Sequence, residues 1–547
     1  MKSRIVEIML IISISLFCET HIPEGNVHGR WSIDGSPYFI NGDITIPNAE
    51  TLIIDPGVSI LFQGEYKLYV QGRLLAEGTE SDSINFDISN SVPPGRGWFG
   101  IYFYHTSASN DSSKISYNIL KNAINTLYAN ACYDEASAIR FDDFSKARVS
   151  HCRFSQNKTY AGGAIKCYLS SSPTVEYCSF NDNSAICIDS AYPLGGAIFI
   201  KGTSSPIIRN NIFVRNSGYY GGAICLLSDN GGVFENNIFY DNFAGYGGAI
   251  LTSSGSNLPA VFKGNIVCNN RSLYYGGGIY IGSFYDSPSA IIENAYLSNN
   301  TIVNNEATWG GGIAICGDKA NLINNIVWNN SGDYGTQIYL KNSSTPTSPD
   351  FYNCLINGGV EEFFMQNGNA FEGDYVNCLN LDPQFSNFEL NDFHLKDSSP
   401  LIGAGINFMD FNNINFDFTG IDIDGTSRPY PLLTDCDIGA YENLLAEPVD
   451  INENILFDSE LYSYNYPEPF NPSTVICFDG SSFSEYQLRV YNSLGQMIYS
   501  KDHLSSMKKN EKISFNGKNL SSGIYVYIIV GKENNSKLIT GKMTLLK

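Results

Sequence analysis

A short glycine phrase recurs six times between residues 162 and 313 and constrains the fold more than any other feature. It reads GGAI or GGGI, at intervals of 33, 26, 26, 29 and 34 residues, and four copies follow a phrase of the form FxxN. A repeat near 26 residues is typical of a solenoid, in which each repeat forms one coil. The glycine pairs are Gly162 and Gly163, Gly195 and Gly196, Gly221 and Gly222, Gly247 and Gly248, Gly276 and Gly277, and Gly310 and Gly311.

Alternating apolar residues follow each glycine pair, as in Ile198 and Ile200. Side chains two apart lie on one face of a strand, so equivalent residues of successive coils would form apolar columns inside a tube. Glycine suits a corner where the backbone takes a positive φ or passes close to the next coil. Asparagine tolerates the same conformation, and stacked Asn side chains can hydrogen-bond along the axis. We therefore predict an all-β fold, a right-handed parallel β-helix of about 15 coils.

The paired GGAI and FxxN phrases, over roughly residues 150 to 330, resemble the repeats of the chlamydial polymorphic outer-membrane proteins. More broadly, they resemble the right-handed β-helix family that includes pectate lyases. The resemblance implies the fold, whereas a fold does not determine an activity. We expect residues 23–120 to form the N-terminal coils, and residues 121–445 to form the repeat region with a closing segment.

The closing segment contains the phrase DIDG, with Asp422 and Asp424. A turn of this kind can bind a structural Ca²⁺ ion, but two clear ligands are few for such a site. The sequence therefore favours an ion-pair cluster with Arg428, Asp437 and Glu442 that closes the tube, and calcium remains the alternative. It predicts no other cofactor.

Residues 1–22 have the pattern of a signal peptide, because Lys2 and Arg4 precede an apolar run from residue 8 to residue 17. That run is too short for a stable membrane anchor, and no other segment approaches the required length. We predict an exported protein without a transmembrane span. The net charge of −22 argues against nucleic acid as a partner, because binding phosphates requires an excess of Lys and Arg.

After a linker at residues 446–460, residues 461–547 alternate as short strands and predict a small β-sandwich. Their phrases YPEPFNPST, VYNSLGQ, LSSGIY and KMTLLK resemble the C-terminal sorting domain of type IX secretion cargo. The resemblance implies the type IX machinery as a partner, and a secreted or outer-membrane-surface protein of a Gram-negative bacterium. The matching positions are Pro467, Pro469, Phe470, Asn471, Pro472, Gly495, Gly523 and Lys547.

Thirteen cysteines in an exported chain raise the question of disulfides. Cys152 and Cys178 precede equivalent Phe residues 26 positions apart, so they would lie on adjacent coils. A spacing of about 4.8 Å between coils permits a bridge there. We nevertheless expect mostly free, buried thiols.

The sequence predicts no catalytic residues. It lacks the NTD and RIK phrases of polygalacturonase-type hydrolases, and its one Asp pair, Asp142 and Asp143, stands alone. Neighbouring residues on a strand point to opposite faces, whereas a glycosidase needs two carboxylates flanking one bond. A polysaccharide lyase or hydrolase with an atypical site remains the alternative function.

Aromatic residues stand directly before four of the glycine pairs, at Tyr220, Tyr246, Tyr275 and Trp309. In a solenoid these rings form a column, which could bind sugar rings or a protein. Alternatively, the rings stack on one another and shield the corner. We predict an adhesin or glycan-binding protein whose ligand is a glycan or a surface protein.

Overall fold

The structure is a computed structural model that divides into two compact units, residues 1–447 and residues 448–547. It describes residues 19–107, 109–125, 137–144, 146–187, 192–227, 230–253, 259–282, 294–316, 319–341, 347–366, 371–411, 414–431, 434–444, 463–466, 470–478, 480, 485–492, 497–504, 511–531 and 538–545. The predicted signal peptide and linker lie outside the described residues, apart from residues 19–22.

The first unit is a parallel β-helix, as predicted. Each coil contributes one strand to each of three sheets in turn, and each strand pairs in parallel with its equivalent on the next coil. Within the described residues every sheet has 13 strands, so the tube has 13 coils and not about 15. The difference arises because the chain leaves the stack after Leu379, which forms a last parallel bridge with Leu355.

The strands that precede the glycine corner form sheet 1: Thr20–Ile22, Tyr38–Ile40, Ser59–Phe62, Ile84–Ile88, Asn118–Lys121, Arg153–Ser155, Ser179–Asn181, Ile212–Val214, Ile238–Tyr240, Ile266–Cys268, Thr301–Val303, Ile326–Trp328 and Leu355–Ile356. The strands that follow it form sheet 2: Gly25–Asn26, Ile44–Ile46, Lys67–Val70, Gly100–Phe103, Ile139–Asp142, Ile165–Tyr168, Ile198–Lys201, Ile224–Leu227, Ile250–Ser253, Ile279–Gly282, Ile313–Cys316, Ile338–Lys341 and Phe364–Met365. Sheet 3 completes each coil: Gly29–Trp31, Thr51–Ile54, Arg73–Glu77, Ser113–Ser116, Ala147–Ser150, Thr174–Glu176, Ile207–Arg209, Gly232–Glu235, Ala260–Lys263, Asn294–Ser298, Lys319–Ile323, Asp350–Tyr352 and Tyr375–Val376. Short 3-10 helices span Ile33–Gly35, Val360–Glu362 and Phe388–Leu390.

Like side chains stack on one another inside the tube. Phe154, Phe180, Phe213 and Phe239 are fully buried, and their ring centroids are 4.6 to 4.8 Å apart in nearly parallel planes. The isoleucines after the glycine pairs are also buried, in register from coil to coil. Burial of each such side chain contributes about 1.5–3 kcal/mol, so the apolar columns dominate the stability of the stack.

Two ladders of buried asparagines run along the corners of the tube. At the corner between sheets 1 and 2, each side-chain amide donates to the side-chain oxygen on the next coil over 2.9 to 3.0 Å, through Asn157, Asn183, Asn216, Asn242, Asn270, Asn305 and Asn330. A second ladder, between sheets 3 and 1, runs through Asn211, Asn237, Asn265, Asn300 and Asn325. The ladders satisfy polar groups that burial would otherwise leave unpaired.

The two glycines of each pair have different roles. The first takes a positive φ, for example +71° at Gly221. At the second, Gly222, a Cβ atom would lie 2.0 Å from the carbonyl oxygen of Gly248 on the next coil. The first glycine thus supplies a backbone conformation and the second permits close approach of two coils.

Residues 377–444, here called the side segment, fold back over the outer face of sheet 1. Its strands are Phe385–Asn387 with Asp392–Leu395, Phe408–Phe411 with Ile414–Asp417, and Gly420–Ile421 with Ser427–Arg428. Phe385, Phe393 and Ile438 of this segment share a buried cluster with Ile266 and Val303 of sheet 1. The closing segment therefore covers a flank of the tube and does not close its end as predicted.

The side segment is held by left-handed asparagines at the corner between sheets 3 and 1. Asn236, Asn299, Asn324 and Asn353 have φ between 50° and 54°. The Asn324 side chain donates to the carbonyl of Ile406 at 2.8 Å and accepts its N–H at 3.0 Å. Uncovered coils carry Tyr117, His151 and Tyr177 at the same corner position, where their rings stack on one another and lie at the surface. The next coil carries Asn210 at this position, with Ile212 beside it still exposed, so the change from an aromatic ring to asparagine comes one coil before the covered region.

The second unit has two antiparallel sheets around one core, in agreement with the predicted β-sandwich. One sheet comprises Ser463–Tyr466, Ser473–Phe478 and Glu511–Asn516, and the other Met497–Leu504, Glu485–Asn492, Gly523–Gly531 and Leu538–Leu545. Ile476 and Phe515 of the first sheet share a buried cluster with Leu488, Tyr527 and Met543 of the second. Within the described residues, no helix is long and apolar enough to cross a membrane.

Candidate binding surface

The predicted aromatic column lies at the corner between sheets 1 and 2, where short strands form a fourth parallel sheet. These strands are Phe243–Tyr246, Arg271–Tyr275, Glu306–Trp309 and Ser331–Tyr334. The structure brings Tyr220, Tyr246, Tyr275 and Trp309 together in register, each just before a glycine with positive φ. Tyr334 extends the column. Sequence reasoning missed it because the repeat there reads GTQI, with one glycine, instead of GGxI.

Within this inner column the rings from Tyr246 to Tyr334 stack on one another, whereas the planes of Tyr220 and Tyr246 are inclined at 50°. The ring centroids of Tyr275 and Trp309 are 4.8 Å apart with planes at 21°, and those of Trp309 and Tyr334 are 5.9 Å apart with planes at 13°. Tyr275 also contacts Tyr280 and Tyr339 on the outer face of sheet 2. Because stacked faces cover one another, the inner column mainly shields that face of the sheet. This arrangement corresponds to the alternative that the sequence left open.

A second layer of tyrosines lies outside the inner column and is more exposed. Tyr192 is 53% exposed and Tyr274 is 38% exposed, with Tyr219 between them. The rings of Tyr192 and Tyr219 are 4.6 Å apart, and the planes of Tyr219 and Tyr274 are inclined at 59°. Inclined rings leave ring faces open to a ligand, which parallel stacked rings do not. We call Tyr192, Tyr219 and Tyr274 the outer tyrosines.

The outer tyrosines form a surface that is neutral near pH 7. Burial, followed by the neighbouring phenols, raises the pKa of Tyr219 to about 12, so its hydroxyl keeps its proton. On the adjacent strands, Arg271 and Glu306 lie 3.4 Å apart and compensate one another. The surface therefore offers apolar ring faces with hydroxyl groups at their edges.

Asp422 and Asp424 do not fit a calcium site. Both carboxylate oxygens of Asp422 accept backbone N–H groups, one from Thr426 at 2.7 Å and the other from Glu442 at 2.9 Å. Asp424 pairs with His394, with Oδ2 and Nε2 2.7 Å apart. Among the described residues, no group of three or more His, Cys, Asp or Glu is arranged to bind a metal ion. The carboxylate oxygens of Asp422 are thus already used within the protein.

A buried cluster in the side segment instead joins Arg428, Asp437 and Glu442. Arg428 lies 3.0 Å from Glu442, and it donates to the backbone carbonyls of Asp437 and Gly439. Burial raises the pKa of Glu442 to about 7, although Arg428 opposes the shift. Burial likewise raises the pKa of Asp437. The cluster holds three parts of the side segment together.

The two carboxylates considered for catalysis lie in different surroundings. Asp142 is buried and lies 2.6 Å from Nη2 of Arg140 on the same strand. Asp143 takes a φ of 54° at the end of that strand. His151 lies at the surface between Tyr117 and Tyr177.

Four predicted sorting positions are described. Phe470 is buried in the core of the second unit, where its N–H donates to the carbonyl of Thr544 at 2.8 Å. Asn471 and Pro472 follow it at the surface, and Gly523 begins a strand. Pro467, Pro469, Gly495 and Lys547 lie outside the described residues.

Two family models match the chain. One, described as "Right handed beta helix region", matches residues 75–258 and 191–318, and the other, "Secretion system C-terminal sorting domain", matches residues 465–542. No curated protein matches. The crystal structure of a double mutant of the periplasmic alginate epimerase AlgG is similar at 12% identity and a TM-score of 0.30, with 62% of this chain and 77% of that chain covered.

These matches agree with the two units of the structure. The closer likeness of the glycine repeats to the chlamydial proteins stays a prediction. The chain joins a right-handed β-helix to a C-terminal sorting domain, which marks it for handling by the type IX secretion machinery and for secretion or display at the cell surface.

Proposed function

We propose that this protein binds a glycan outside the cell through the outer tyrosines, and acts there as an adhesin or glycan-binding protein. The observation that carries the proposal is the pair of inclined, exposed rings at Tyr192 and Tyr274, with Tyr219 between them. Sugar rings present apolar C–H faces and hydroxyl edges, and an open tyrosine face with a phenol at its tip is complementary to both.

The direction of the tyrosine surface supports an extended ligand. The three rings come from three different coils, with Gly245 at the equivalent position of the coil between Tyr219 and Tyr274, so the surface runs along the tube axis and not across it. A polysaccharide chain lying along the axis would meet one ring after another. Its retention would then come from several weak stacking contacts acting together.

Binding is better supported than cleavage. The two adjacent carboxylates of the repeat region, Asp142 and Asp143, do not form a facing pair, because Asp142 is a buried ion-pair partner of Arg140 and Asp143 is an exposed corner residue, whereas a glycosidase needs two carboxylates flanking one bond. We further propose that the exported protein stays at the outer-membrane surface of its Gram-negative host, where the tube presents the outer tyrosines to the surroundings.

The test is retention of the full-length protein on an array of neutral and uronic polysaccharides. Replacing Tyr192 and Tyr274 by Ala should lower the affinity for a retained glycan roughly tenfold, because each stacking contact is worth about 0.5–1.5 kcal/mol. The matched control replaces the exposed Tyr104 and Tyr177, which lie elsewhere on the tube. Unchanged retention in the Tyr192 and Tyr274 variant would refute the site, and new reducing ends or unsaturated uronates would favour the lyase or hydrolase alternative.

A further inference from the structure

Cysteines stand at both ends of the asparagine ladder between sheets 3 and 1. Cys152 and Cys178 precede Asn211, while Cys354 and Cys378 follow Asn325. The N–H of Asn325 donates to Sγ of Cys354 over 3.4 Å, and the N–H of Cys152 donates to Sγ of Cys178 over the same distance. A thiol thus takes the position that an amide oxygen takes in the rest of the ladder.

Cys354 and Cys378 are direct neighbours on adjacent turns of the chain. The residues that follow them, Leu355 and Leu379, form a parallel bridge, and the N–H of Leu379 donates to the carbonyl of Cys354 at 2.7 Å. Parallel partners lie about 4.8 Å apart, which is within the Cα separation of about 4.4–6.8 Å found in disulfides. The Cys354 thiol lies close enough to Cys378 to lower the pKa of the Cys378 thiol.

We propose that Cys354 and Cys378 are oxidised to a disulfide when the protein is exported, and that this bond ties the end of the β-helix to the start of the side segment. The export that the sorting domain implies takes the chain through compartments where disulfides persist. Two buried cysteines of sheet 2 face other residue types on both neighbouring coils. Cys167 lies between Phe141 and Ile200, and Cys225 between Phe199 and Leu251.

The different exposure of the two thiols determines which of them reacts first with an oxidant. Cys378 is half-buried and Cys354 is fully buried, so an oxidant meets Cys378 first. The hydrogen bond from Cys354 lowers the pKa of Cys378 more than burial raises it, which favours the nucleophilic thiolate.

The oxidant is a disulfide-bonded donor of the thiol-oxidase class. The Cys378 thiolate attacks one donor sulfur, the donor disulfide breaks, and the other donor sulfur leaves as a thiolate. Cys354 then loses its proton to that thiolate and attacks the sulfur of Cys378, which breaks the mixed disulfide. The cysteine pair loses two electrons, and the donor disulfide gains them and becomes a dithiol.

The experiment labels thiols in full-length protein recovered from the culture medium. The protein is denatured and alkylated without reductant, then reduced and alkylated with a heavier reagent, and its peptides are assigned by mass spectrometry. We expect the heavier label on Cys354 and Cys378 and the first label on Cys167 and Cys225. Before reduction, the two peptides should appear as one linked species.

Two variants complete the test. Cys378→Ser should leave Cys354 with the first label and lower the thermal midpoint of the unreduced protein by a few degrees, as reduction does in the wild type. Cys225→Ser is the matched control and should leave the linked peptide intact. The first label on both Cys354 and Cys378 in the recovered protein would overturn the proposal.

Discussion

The side-chain amide of Asn216 donates to the side-chain oxygen of Asn242 on the next coil, 3.0 Å away. The same oxygen accepts the backbone N–H of Asn216 at 2.9 Å, and the amide of Asn242 donates to the carbonyl of Phe213 at 3.0 Å. One buried side chain therefore satisfies polar groups on two neighbouring coils. The stack needs these bonds because its corners are closed to water.

Replacing Asn242 by Ala should lower the free energy of unfolding by about 3 kcal/mol, since each buried group left without a partner costs about 1–3 kcal/mol. Urea denaturation followed by tyrosine fluorescence measures the change. The matched control is Asn329→Gly, because Asn329 is exposed and has a φ of 51° that glycine adopts freely. Equal midpoints for the two variants would contradict a stabilising ladder.

Gly222→Ala should destabilise the tube by about 3 kcal/mol, at the upper end of the range for overpacking. Its Cβ atom would collide with the carbonyl oxygen of Gly248, and both backbones are fixed by neighbouring coils. Thermal unfolding by circular dichroism measures the loss. Gly95→Ala is the control: nothing lies within 4 Å of a Cβ atom there, so its shift reports only the strain of an alanine at a φ of +85°, about 1–2 kcal/mol. A similar midpoint shift in both variants would mean that close approach of the coils is not the reason for the second glycine.

The side segment should become less stable as the pH rises through the range of about 5 to 7. The Glu442 carboxyl ionises near 4.5 when unfolded but at a pKa of about 7 when folded. In that interval the Glu442 carboxyl is ionised in the unfolded chain but keeps its proton in the folded protein, so raising the pH favours unfolding. Each pKa unit between the two states corresponds to about 1.4 kcal/mol of free energy of unfolding. The loss levels off above pH 7 at about 3 kcal/mol.

Hydrogen exchange of residues 385–444, compared between the wild type and Glu442→Gln, isolates this effect. The Gln variant should show no pH dependence from this position, because it cannot ionise. The backbone carbonyls of Asp437 and Gly439 still hold Arg428 in that variant. A wild type whose protection follows that of the variant at every pH would contradict the shifted ionisation.

Asn324→Gly should loosen the side segment by about 2 kcal/mol while leaving the tube intact, because it removes two hydrogen bonds to Ile406 and keeps the positive φ. Limited proteolysis should then cut the side segment sooner. Asn304→Gly, with a φ of 55° on the opposite edge of sheet 1, should leave the cleavage rate unchanged.

Deletion of residues 461–547 should trap the protein in the periplasm, because the sorting domain is what the secretion machinery recognises. Cell fractionation and immunoblotting of the truncated and full chains measure this. Truncated protein in the medium at the full-length level would contradict a sorting role. A folded, periplasmic truncated form would in turn show that the β-helix does not need the second unit to fold.

The repeat and its alternating isoleucines predicted the stacked sheets. When the same spacing recurs over many coils, only one register buries every isoleucine inside the tube. The number of coils was not predictable in this way. From Phe385 onward the short apolar runs pack against sheet 1 side chains such as Ile326 and do not pair with a next coil. The apolar pattern of such a run does not show which apolar surface it will cover.

The candidate site was predictable only in part. The aromatic residue before each glycine pair predicted the inner column correctly. Whether a ring covers its neighbour or is open to a ligand depends on its orientation, which cannot be read from the sequence. A signal for the side segment was present in the sequence and was missed. The corner position changes from Tyr177 to Asn210 one coil before the covered region, and within that region Asn236 and Asn299 donate hydrogen bonds to backbone carbonyls of the side segment, which a tyrosine ring in that place does not do.

Each asparagine of the ladder both donates to one neighbouring coil and accepts from the other, so a coil can be added or removed without leaving an unpaired group. A duplication of one complete repeat, for example from Gly222 to Gly247, would reproduce every rung and every interior contact at the join. Growth or shortening by whole repeats would therefore leave the interior undisturbed. Each added repeat of this kind would lengthen the tube by one coil, about 4.8 Å, and the inner column by one ring, so the length of the tube can be adjusted in discrete steps.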